Sequence, residues 1–390
     1  MSGRASITPK VLKWARESAR MSLETAASKI QVSPARLKEW EEGENKPTIN
    51  QAQTLAKAYK RPFALFFLPE IPSDFQPLQD FRKHDSKPLG TASLFIIREI
   101  QQKQVWLSEF NQESGETPLP FVGKYNLNDN PSAVANDILT TLEISPGNYL
   151  YSNPMKEWIG KAELNGIFIS RTSFINNALL LDKNELKGFA IADIYAPFIF
   201  INSDDWTAPQ LFTLVHELAH IWIAKTGISN DIDLTIEPAS NVHPIEVFCN
   251  EVAAAALMPQ NILANFNQSI FSNNLELFSE AKLLGVSTLA LITRAYNLRV
   301  ISYNKYNELK SIAHQDFNNY IQKEEAKAIE IKKKDGGPSY YRLALNKNSR
   351  LFTQIILSYF KSGIIQPTTA SSLLNVKVNN FSKLESLINQ

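Results

Sequence analysis

The stretch "QLFTLVHELAHIWIAKTG", from Gln210 to Gly227, has the apolar periodicity of one amphipathic helix. It contains two of the five histidines of the chain, His216 and His220, four positions apart with Glu217 between them. Positions i and i+4 share one face of a helix, so the two imidazoles can bind the same metal ion. Glu217 lies about 100° around the helix from His216, where its carboxylate can reach a water beside that ion.

Zinc is the ion that this pattern favours. It accepts imidazole nitrogen and carboxylate oxygen in tetrahedral geometry, and a catalytic site keeps one position for water. The ion lowers the pKa of that water to about 7, and a glutamate takes the proton as the water attacks a carbonyl. The stretch therefore predicts metal-dependent hydrolysis with Glu217 as the general base. Manganese and iron accept the same ligands, so the residues alone leave the metal open.

The apolar neighbours of the three polar residues strengthen the metal interpretation. A helix that buries two imidazoles and a carboxylate without partners for them would be costly. Burial is what the surrounding apolar positions predict: Leu214, Val215, Leu218, Ile221 and Trp222.

A third protein ligand is expected downstream, in "HPIEVFCNEVAAAALMP" (243–259), which predicts a second helix ended by Pro259. Two glutamates compete for the role, Glu246 and Glu251. Glu246 shares a helix face with Asn250 at i+4, so Asn250 can support it, whereas Glu251 faces another direction. Spacing favours Glu246 and leaves Glu251 open.

Two further side chains in this second helix need weighing. His243 lies three residues before Glu246 and can stabilise the oxyanion of a tetrahedral intermediate. An equally good interpretation is that His243 caps the helix. Cys249 lies on a face that the pattern predicts to be buried, so it is favoured neither as a nucleophile nor as a metal ligand.

The composition is that of a soluble globular protein. Among 390 residues, 44% are hydrophobic and 20% charged, and the length predicts two or three domains. A single cysteine excludes an internal disulfide and suits a reducing compartment. Residues 1–25 lack the apolar run of a secretory signal, and no run approaches the ~18–20 residues of a membrane span. We expect a cytoplasmic protein without a membrane partner.

The N-terminal region is basic and predicts short, well-punctuated helices. Residues 1–69 hold 12 Lys/Arg against 6 Asp/Glu, although the whole chain has a net charge of +1. Ser22, Ser33 and Thr48 stand where helix N-caps are expected, and Gly43 stands where the third helix should end. Two short helices joined by a tight connector are the plan of a helix-turn-helix.

Residues 8–69 resemble the XRE-type (Cro-like) helix-turn-helix family, down to "WEEGENKPTINQAQTLAKAY" (40–59). In that family the second helix of the motif enters the major groove with its N-terminal residues at the base edges. Glu39, Glu41, Glu42 and Glu44 weaken the positive field there, so docking to a protein stays an alternative to DNA. The resemblance implies a DNA-facing set made up of Gln31, Ser33, Pro34, Ala35, Arg36 and Lys38.

A second resemblance covers the metal motif. "APFIFINSDDWTAPQLFTLVHELAH" (196–220), followed by "EVFCNEVAAAALMP" (246–259), is similar to the ImmA/IrrE family of zinc metallopeptidases. The resemblance implies that Glu246 is the third ligand, that Zn²⁺ is the cofactor and that the substrate is a transcriptional repressor. Longer members of the family join an XRE domain to this peptidase. Departures from the family pattern spare the ligands and the base: Ala219, Cys249, Val252 and Ala255.

The sequence thus predicts a mainly helical α+β protein. It comprises an N-terminal helix-turn-helix bundle (1–69), a linker and connecting helix (70–130), a zincin-like metallopeptidase core with a small antiparallel sheet (131–300), and a helical C-terminal region for dimerisation or partner binding (301–390). The predicted function is site-specific zinc-dependent cleavage of a regulatory protein, with DNA binding through residues 1–69. The alternative is a non-enzymatic DNA-binding regulator, or an antitoxin-like partner of a toxin.

Overall fold

The computed structural model describes residues 3–73, 77–82, 88–151, 153–176, 179–229, 242–266, 268–333 and 339–388. The chain divides into two compact units. The first comprises residues 1–77, 87–101 and 175–180, and the second comprises residues 78–86, 102–174 and 181–390. The fold is α+β and mainly helical, as the sequence predicted.

Helices account for most of the described chain. The α-helices are α1 (Pro9–Ser18), α2 (Leu23–Lys29), α3 (Pro34–Glu42), α4 (Ile49–Ala58), α5 (Thr91–Glu113), α6 (Pro131–Thr141), α7 (Pro154–Leu164), α8 (Thr207–Trp222), α9 (Pro244–Leu257), α10 (Gln260–Ala264), α11 (Asn274–Leu284), α12 (Thr288–Asn297), α13 (Tyr303–Lys333), α14 (Tyr340–Asn348), α15 (Arg350–Lys361), α16 (Pro367–Leu374) and α17 (Phe381–Ile388). Short 3-10 helices span Phe63–Phe67, Gln268–Ser272 and Val378–Asn380. The strands are β1 (Gln79–Asp80), β2 (Phe168–Thr172), β3 (Phe174–Asn176), β4 (Leu179–Leu180), β5 (Gly188–Ile191), β6 (Phe198–Asn202) and β7 (Gly227–Ser229).

Three helices of the first unit begin at the predicted N-caps, and α3 ends at the predicted glycine. The side chains of Ser22, Ser33 and Thr48 each accept a hydrogen bond from a backbone N–H three residues on. These bonds satisfy N–H groups that a helix start otherwise leaves without partners. Gly43 ends α3 in the left-handed conformation at φ 83°, which a residue without Cβ adopts at little cost.

A buried ion pair joins α1 to α3 within this unit. Arg16 Nε donates to Glu41 Oε1 at 2.8 Å, and Arg16 Nη1 donates to the Met21 carbonyl at 2.9 Å. The hydrogen bond to Glu41 raises the pKa of the Arg16 guanidinium. Because an unpaired buried charge is costly, this pair fixes the direction of α3 relative to α1.

The second unit contains a five-stranded sheet of order β1-β7-β5-β6-β2. The sequence predicted an antiparallel sheet, and that detail is wrong because the sheet is mixed. β5 runs antiparallel to β6 and β7, whereas β2 pairs parallel with β6 and β1 pairs parallel with β7. The chain leaves β2, forms β3, β4 and β5, and returns as β6 in the original direction, which is the crossover that parallel pairing requires.

Helix α8 lies at the centre of this unit, against β5, β6 and α9. The apolar residues predicted to bury it are all 0% exposed. The sequence indicated an amphipathic helix, but every residue from Gln210 to Trp222 is buried. A helix that buries its whole circumference lies inside a core, so the polar residues of α8 have no solvent-facing side.

The helices after residue 339 cover the outer strand of this sheet. Ser170 on β2 donates its hydroxyl to the Lys347 carbonyl on α14 at 2.6 Å. Ser349, which precedes α15, donates its hydroxyl to Glu163 on α7 at 2.7 Å. These contacts make residues 339–388 part of the second unit. Among the described residues, no helix is long and apolar enough to cross a membrane.

Candidate metal centre and active site

Helices α8 and α9 bring three predicted metal ligands together. The Nε2 atoms of His216 and His220 are 3.1 Å apart. Glu246 approaches both imidazoles, with Oε2 at 3.4 Å from His216 Nε2 and Oε1 at 3.2 Å from His220 Nε2. All three residues are 0% exposed. Two imidazoles and one carboxylate therefore face a single point in the interior.

The spacing of these atoms fits a tetrahedral zinc ion. Ligand atoms at about 2.05 Å from an ion, at tetrahedral angles, lie about 3.3 Å from one another. The three observed separations range from 3.1 to 3.4 Å, and the two that involve Glu246 are made by its two different oxygens, one facing each ring. Glu246 Oε2 is also buried without a hydrogen-bond partner in the described part of the chain. A cluster of lone pairs at this spacing fits a cation.

The pKa shifts of Glu246 and His220 favour the forms of these two residues that bind a cation. Burial alone would raise the pKa of Glu246, but the two imidazoles beside it lower that pKa to about 2. Burial lowers the pKa of His220, which favours its neutral, ligating form. A metal site needs a carboxylate and neutral imidazoles, since protonated nitrogen cannot donate a lone pair.

Two neighbouring side chains orient the candidate ligands. Asn250 Oδ1 lies 2.9 Å from His216 Nδ1, which places the ring proton on Nδ1 and the lone pair on Nε2. The sequence placed Asn250 beside Glu246, and the partner that the structure gives its amide oxygen is His216 on the other helix. The Ser229 hydroxyl donates to Glu246 Oε1 at 3.2 Å and lies 3.2 Å from His220 Nε2.

Glu217 lies next to the candidate ligands as a buried carboxylate. Both of its oxygens lack a hydrogen-bond partner among the described residues. Burial raises the pKa of its carboxyl well above the ordinary value, and the negative charge of Glu246 raises that pKa further. A nearby cation would stabilise the charged form of a carboxylate in this environment, and the carboxylate could then accept a proton from an adjacent water.

A glycine on β5 leaves the space that the Glu217 carboxylate occupies. A Cβ built on Gly188 would lie 2.9 Å from Glu217 Oε1, 2.7 Å from Thr213 Cγ2 and 3.0 Å from the Phe200 carbonyl oxygen. Sequence reasoning missed Gly188, because a glycine in a short apolar run has no distinguishing pattern. Sequence reasoning also missed Ser229, because "GIS" (227–229) is too short to be recognised as a strand.

We expect Gly188→Ala to reduce catalysis while sparing the metal. The added methyl group cannot move the Phe200 carbonyl, so it should displace the Glu217 carboxylate instead and destabilise the fold by about 1–3 kcal/mol. Peptide hydrolysis should fall about tenfold or more, since a general base must stay within hydrogen-bond reach of its proton. Assays of hydrolysis and zinc content on the same sample test this, and lost zinc with unchanged turnover would contradict it.

His243 adopts the capping role that the sequence left as an alternative. It is the N-cap of α9, and its Nδ1 accepts a hydrogen bond from the Ile245 N–H at 3.2 Å. In the neutral ring the proton is therefore on Nε2. A donor at Nε2 remains compatible with an oxyanion role, so the capping bond selects the tautomer that this role needs.

Two other residues of α9, Glu251 and Cys249, are alternatives to Glu246 as the third metal ligand. Glu251 is exposed, and the structure does not bring it into the cluster. Cys249 is fully buried, and its sulfur lies within 4.8 Å of the ligand atoms of His216 and His220. The contacts of Glu246 with both rings, at 3.2 and 3.4 Å, are the closer match to a ligand. Burial raises the pKa of the Cys249 thiol well above its usual value.

The DNA-facing set lies at the exposed N-terminal end of α3 and in the turn before it. Gln31 is exposed at a left-handed φ of 57°, and Ser33, Pro34, Ala35 and Lys38 are also exposed. The half-buried Arg36 donates to Glu39 at 2.6 Å, and Lys38 lies 3.6 Å from Glu42. Both cations of the set are therefore paired with acidic residues of their own helix.

Comparison with family models agrees with both resemblances. A model described as the IrrE N-terminal-like domain, a peptidase family, matches residues 166–296. A helix-turn-helix model matches residues 12–66. The chain therefore carries an XRE-type helix-turn-helix domain within residues 12–66 and an IrrE-like domain of a peptidase family within residues 166–296. No protein among the curated ones matches the chain.

Proposed function

We propose that the protein is a cytoplasmic, zinc-dependent endopeptidase that cuts one regulatory protein, and that residues 1–69 contribute DNA binding. The observation that supports this most is the convergence of His216, His220 and Glu246 at tetrahedral spacing beside a buried carboxylate. A purely structural core would gain nothing from Glu217, because an unpartnered buried carboxylate is destabilising.

The candidate ligands and the general base have separate roles. A zinc ion held by His216, His220 and Glu246 would supply Lewis acidity toward a water and a peptide carbonyl. Glu217 accepts the proton of the attacking water and transfers it to the amine nitrogen that leaves as the peptide bond breaks. His243 donates from Nε2 toward the oxygen that gains negative charge.

The proposed substrate is a transcriptional repressor. This part of the proposal comes from the resemblance to ImmA/IrrE peptidases, whose longer members carry an XRE domain. Its cleavage would relieve repression of the genes that it controls. A toxin partner belongs to the alternative function, in which the chain acts as a regulator without cleaving anything. A homodimer formed through residues 301–390 is compatible with either function.

The deciding experiment compares host cells that carry the wild type with cells that carry Glu217→Gln. We expect a small set of new protein N-termini, detected by N-terminal proteomics, that appear only with the wild type. A repressor should be among the cleaved proteins. Equal regulatory output in the two strains, without any Glu217-dependent N-terminus, would favour the non-enzymatic alternative.

The ion pairs on α3 lead to a prediction about DNA binding. Glu39→Gln frees the Arg36 guanidinium, so affinity for a mixed-sequence duplex should increase about two- to tenfold at low salt. Arg36→Ala should weaken binding by a similar factor. Fluorescence anisotropy at several salt concentrations measures both. Affinity that stays the same in both variants would contradict a DNA-facing role for α3 and would favour docking to a protein.

A further inference from the structure

The outer edge of β7 is covered by a segment of the chain's own linker region, Leu78–Arg82. Gln79 and Asp80 of β1 pair parallel with Gly227 and Ile228 of β7. The Phe81 N–H donates to the Ile228 carbonyl at 3.0 Å. This strand comes from a part of the sequence remote from the peptidase motif, and within the described residues it forms two strand pairs.

The residue after β1 lies directly on the candidate metal centre. The Phe81 ring stacks on the His220 imidazole, with centroids 5.4 Å apart and planes 12° apart. It also contacts His243, with centroids 5.2 Å apart. Phe81 is 1% exposed, although its neighbours Gln79 and Asp80 are exposed. An aromatic side chain therefore fills a slot between a candidate ligand and the candidate oxyanion donor.

Gly227 forms the floor of this slot. A Cβ built there would lie 2.1 and 2.5 Å from two atoms of the Phe81 ring and 2.8 Å from the Gln79 carbonyl oxygen. These three nearest atoms all belong to the covering segment. The absence of a side chain at this position is what allows the segment to approach β7.

Arg82 holds the end of the segment in place. It pairs with Asp80 at 2.6 Å, and its Nη1 donates to the Glu185 carbonyl at 3.1 Å. His216, Glu217, His220 and Glu246 are all fully buried in this arrangement. A peptide that approaches His220 and His243 from the β7 edge therefore has to displace the Phe81 ring.

We propose that the outer edge of β7 is the peptide-binding edge of the site, and that Leu78–Arg82 occupies it as an internal, autoinhibitory strand. This inference rests on the proposed function. An edge strand pairs with an added extended peptide through its backbone groups, and side-chain slots supply specificity. Ser229, at the end of β7, touches both His220 and Glu246, so a peptide on this edge passes the candidate ligands.

The slot also indicates the class of peptide. It takes a planar aromatic side chain against the His220 and His243 rings. The aromatic ring lies so close to Gly227 that a side chain on residue 227 would collide with it. The segment that displaces Leu78–Arg82 is therefore an extended peptide with an aromatic residue at the position of Phe81. Two strand pairs are few enough for such a peptide to compete with the internal strand.

The reactivity of the single cysteine of the chain can be used to detect displacement of Leu78–Arg82. Cys249 is fully buried, with its sulfur within 4.8 Å of the candidate ligand atoms of His216 and His220, and the Phe81 ring stacks on His220. The test measures the rate at which 5,5′-dithiobis(2-nitrobenzoate) modifies Cys249 in the full-length protein, with and without bound zinc. The rate of zinc loss to a chelator is a second reading on the zinc-loaded sample.

Gly227→Ala is the main variant, because its added methyl group expels the segment without altering a candidate ligand. We expect Cys249 modification and zinc loss to accelerate about tenfold or more, since exposure by local opening follows the opening equilibrium. Gly160→Ala is the matched control, because a Cβ at Gly160 has no neighbouring atom within 4 Å. This control should react at the wild-type rate.

Phe81→Ala is a second variant, which tests the proposal even if Gly227→Ala does not fold. It removes the aromatic ring and leaves β7 unchanged. Accelerated labelling in either folded variant, with an unchanged control, supports the proposal. Wild-type labelling rates in both variants, at unaltered cooperative melting, would overturn it. Because labelling needs neither zinc nor a substrate, a protein that binds no zinc would refute the proposed function while the covering strand is still tested.

Discussion

Glu217→Gln is expected to reduce peptide hydrolysis by the purified protein about 10³-fold while the zinc content stays at the wild-type level. Removal of a general base typically costs about 10²–10⁴ in rate, because the amide cannot accept the proton of the attacking water. The amide has nearly the same shape as the carboxylate, so it fits beside Gly188. Metal analysis by mass spectrometry and hydrolysis of the substrate found by N-terminal proteomics measure the two quantities.

The same variant should melt at a higher temperature than the wild type in the metal-free state. Glu217 is 0% exposed, lacks a hydrogen-bond partner among the described residues, and lies next to the charge of Glu246. Removing a buried, repelled charge stabilises a fold, and such trade-offs of stability for activity are typical of catalytic groups. If Glu217 instead stabilised the fold, its replacement by glutamine would lower the melting temperature.

Glu251→Gln provides the control for this comparison. Glu251 is exposed, on the helix that carries Glu246, and outside the cluster. Its amide variant should keep wild-type hydrolysis, zinc content and melting temperature. A loss of zinc in Glu217→Gln would mean that this carboxylate is a ligand rather than the base. Unchanged hydrolysis in that variant would exclude it as the base.

The sequence contained most of the information on which side chains form the candidate site. His216, Glu217 and His220 are neighbours on one helix, so their relation follows from helical periodicity alone. Glu246 required two further inferences, a second helix and its packing against the first. The identity of that helix came from its apolar run and from Pro259, but only the structure gives the distances between the two helices.

The arrangement around these side chains could not be predicted from periodicity. β1, β5 and β7 are two to four residues long, too short for an alternating pattern to stand out. Gly188, Gly227 and Ser229 lie on these strands, and their contacts depend on which strands pair. The contact of Phe81 with His220 joins residues 139 positions apart in the chain, and no local pattern encodes such a pairing.

Glu246→Ala should lower zinc affinity by more than about 100-fold. Loss of a side chain that only orients a ligand already costs about 10–100-fold, so the loss of a ligand itself should cost more. The variant also leaves His216 and His220 without the carboxylate that lies 3.4 and 3.2 Å from their Nε2 atoms. Competition against a chelator of known affinity measures the change.

Ser229→Ala and Cys249→Ser distinguish the ligand from its neighbours. Ser229 donates to Glu246 at 3.2 Å without belonging to the donor set, so its alanine variant should lose about tenfold in affinity. Cys249→Ser should retain wild-type affinity if Glu246 completes the site with the two histidines. Strong zinc loss in Cys249→Ser with none in Glu246→Ala would instead assign the ion to His216, His220 and Cys249. That ligand set would leave Glu246, with its pKa near 2, as an anion that only balances the charge of the centre.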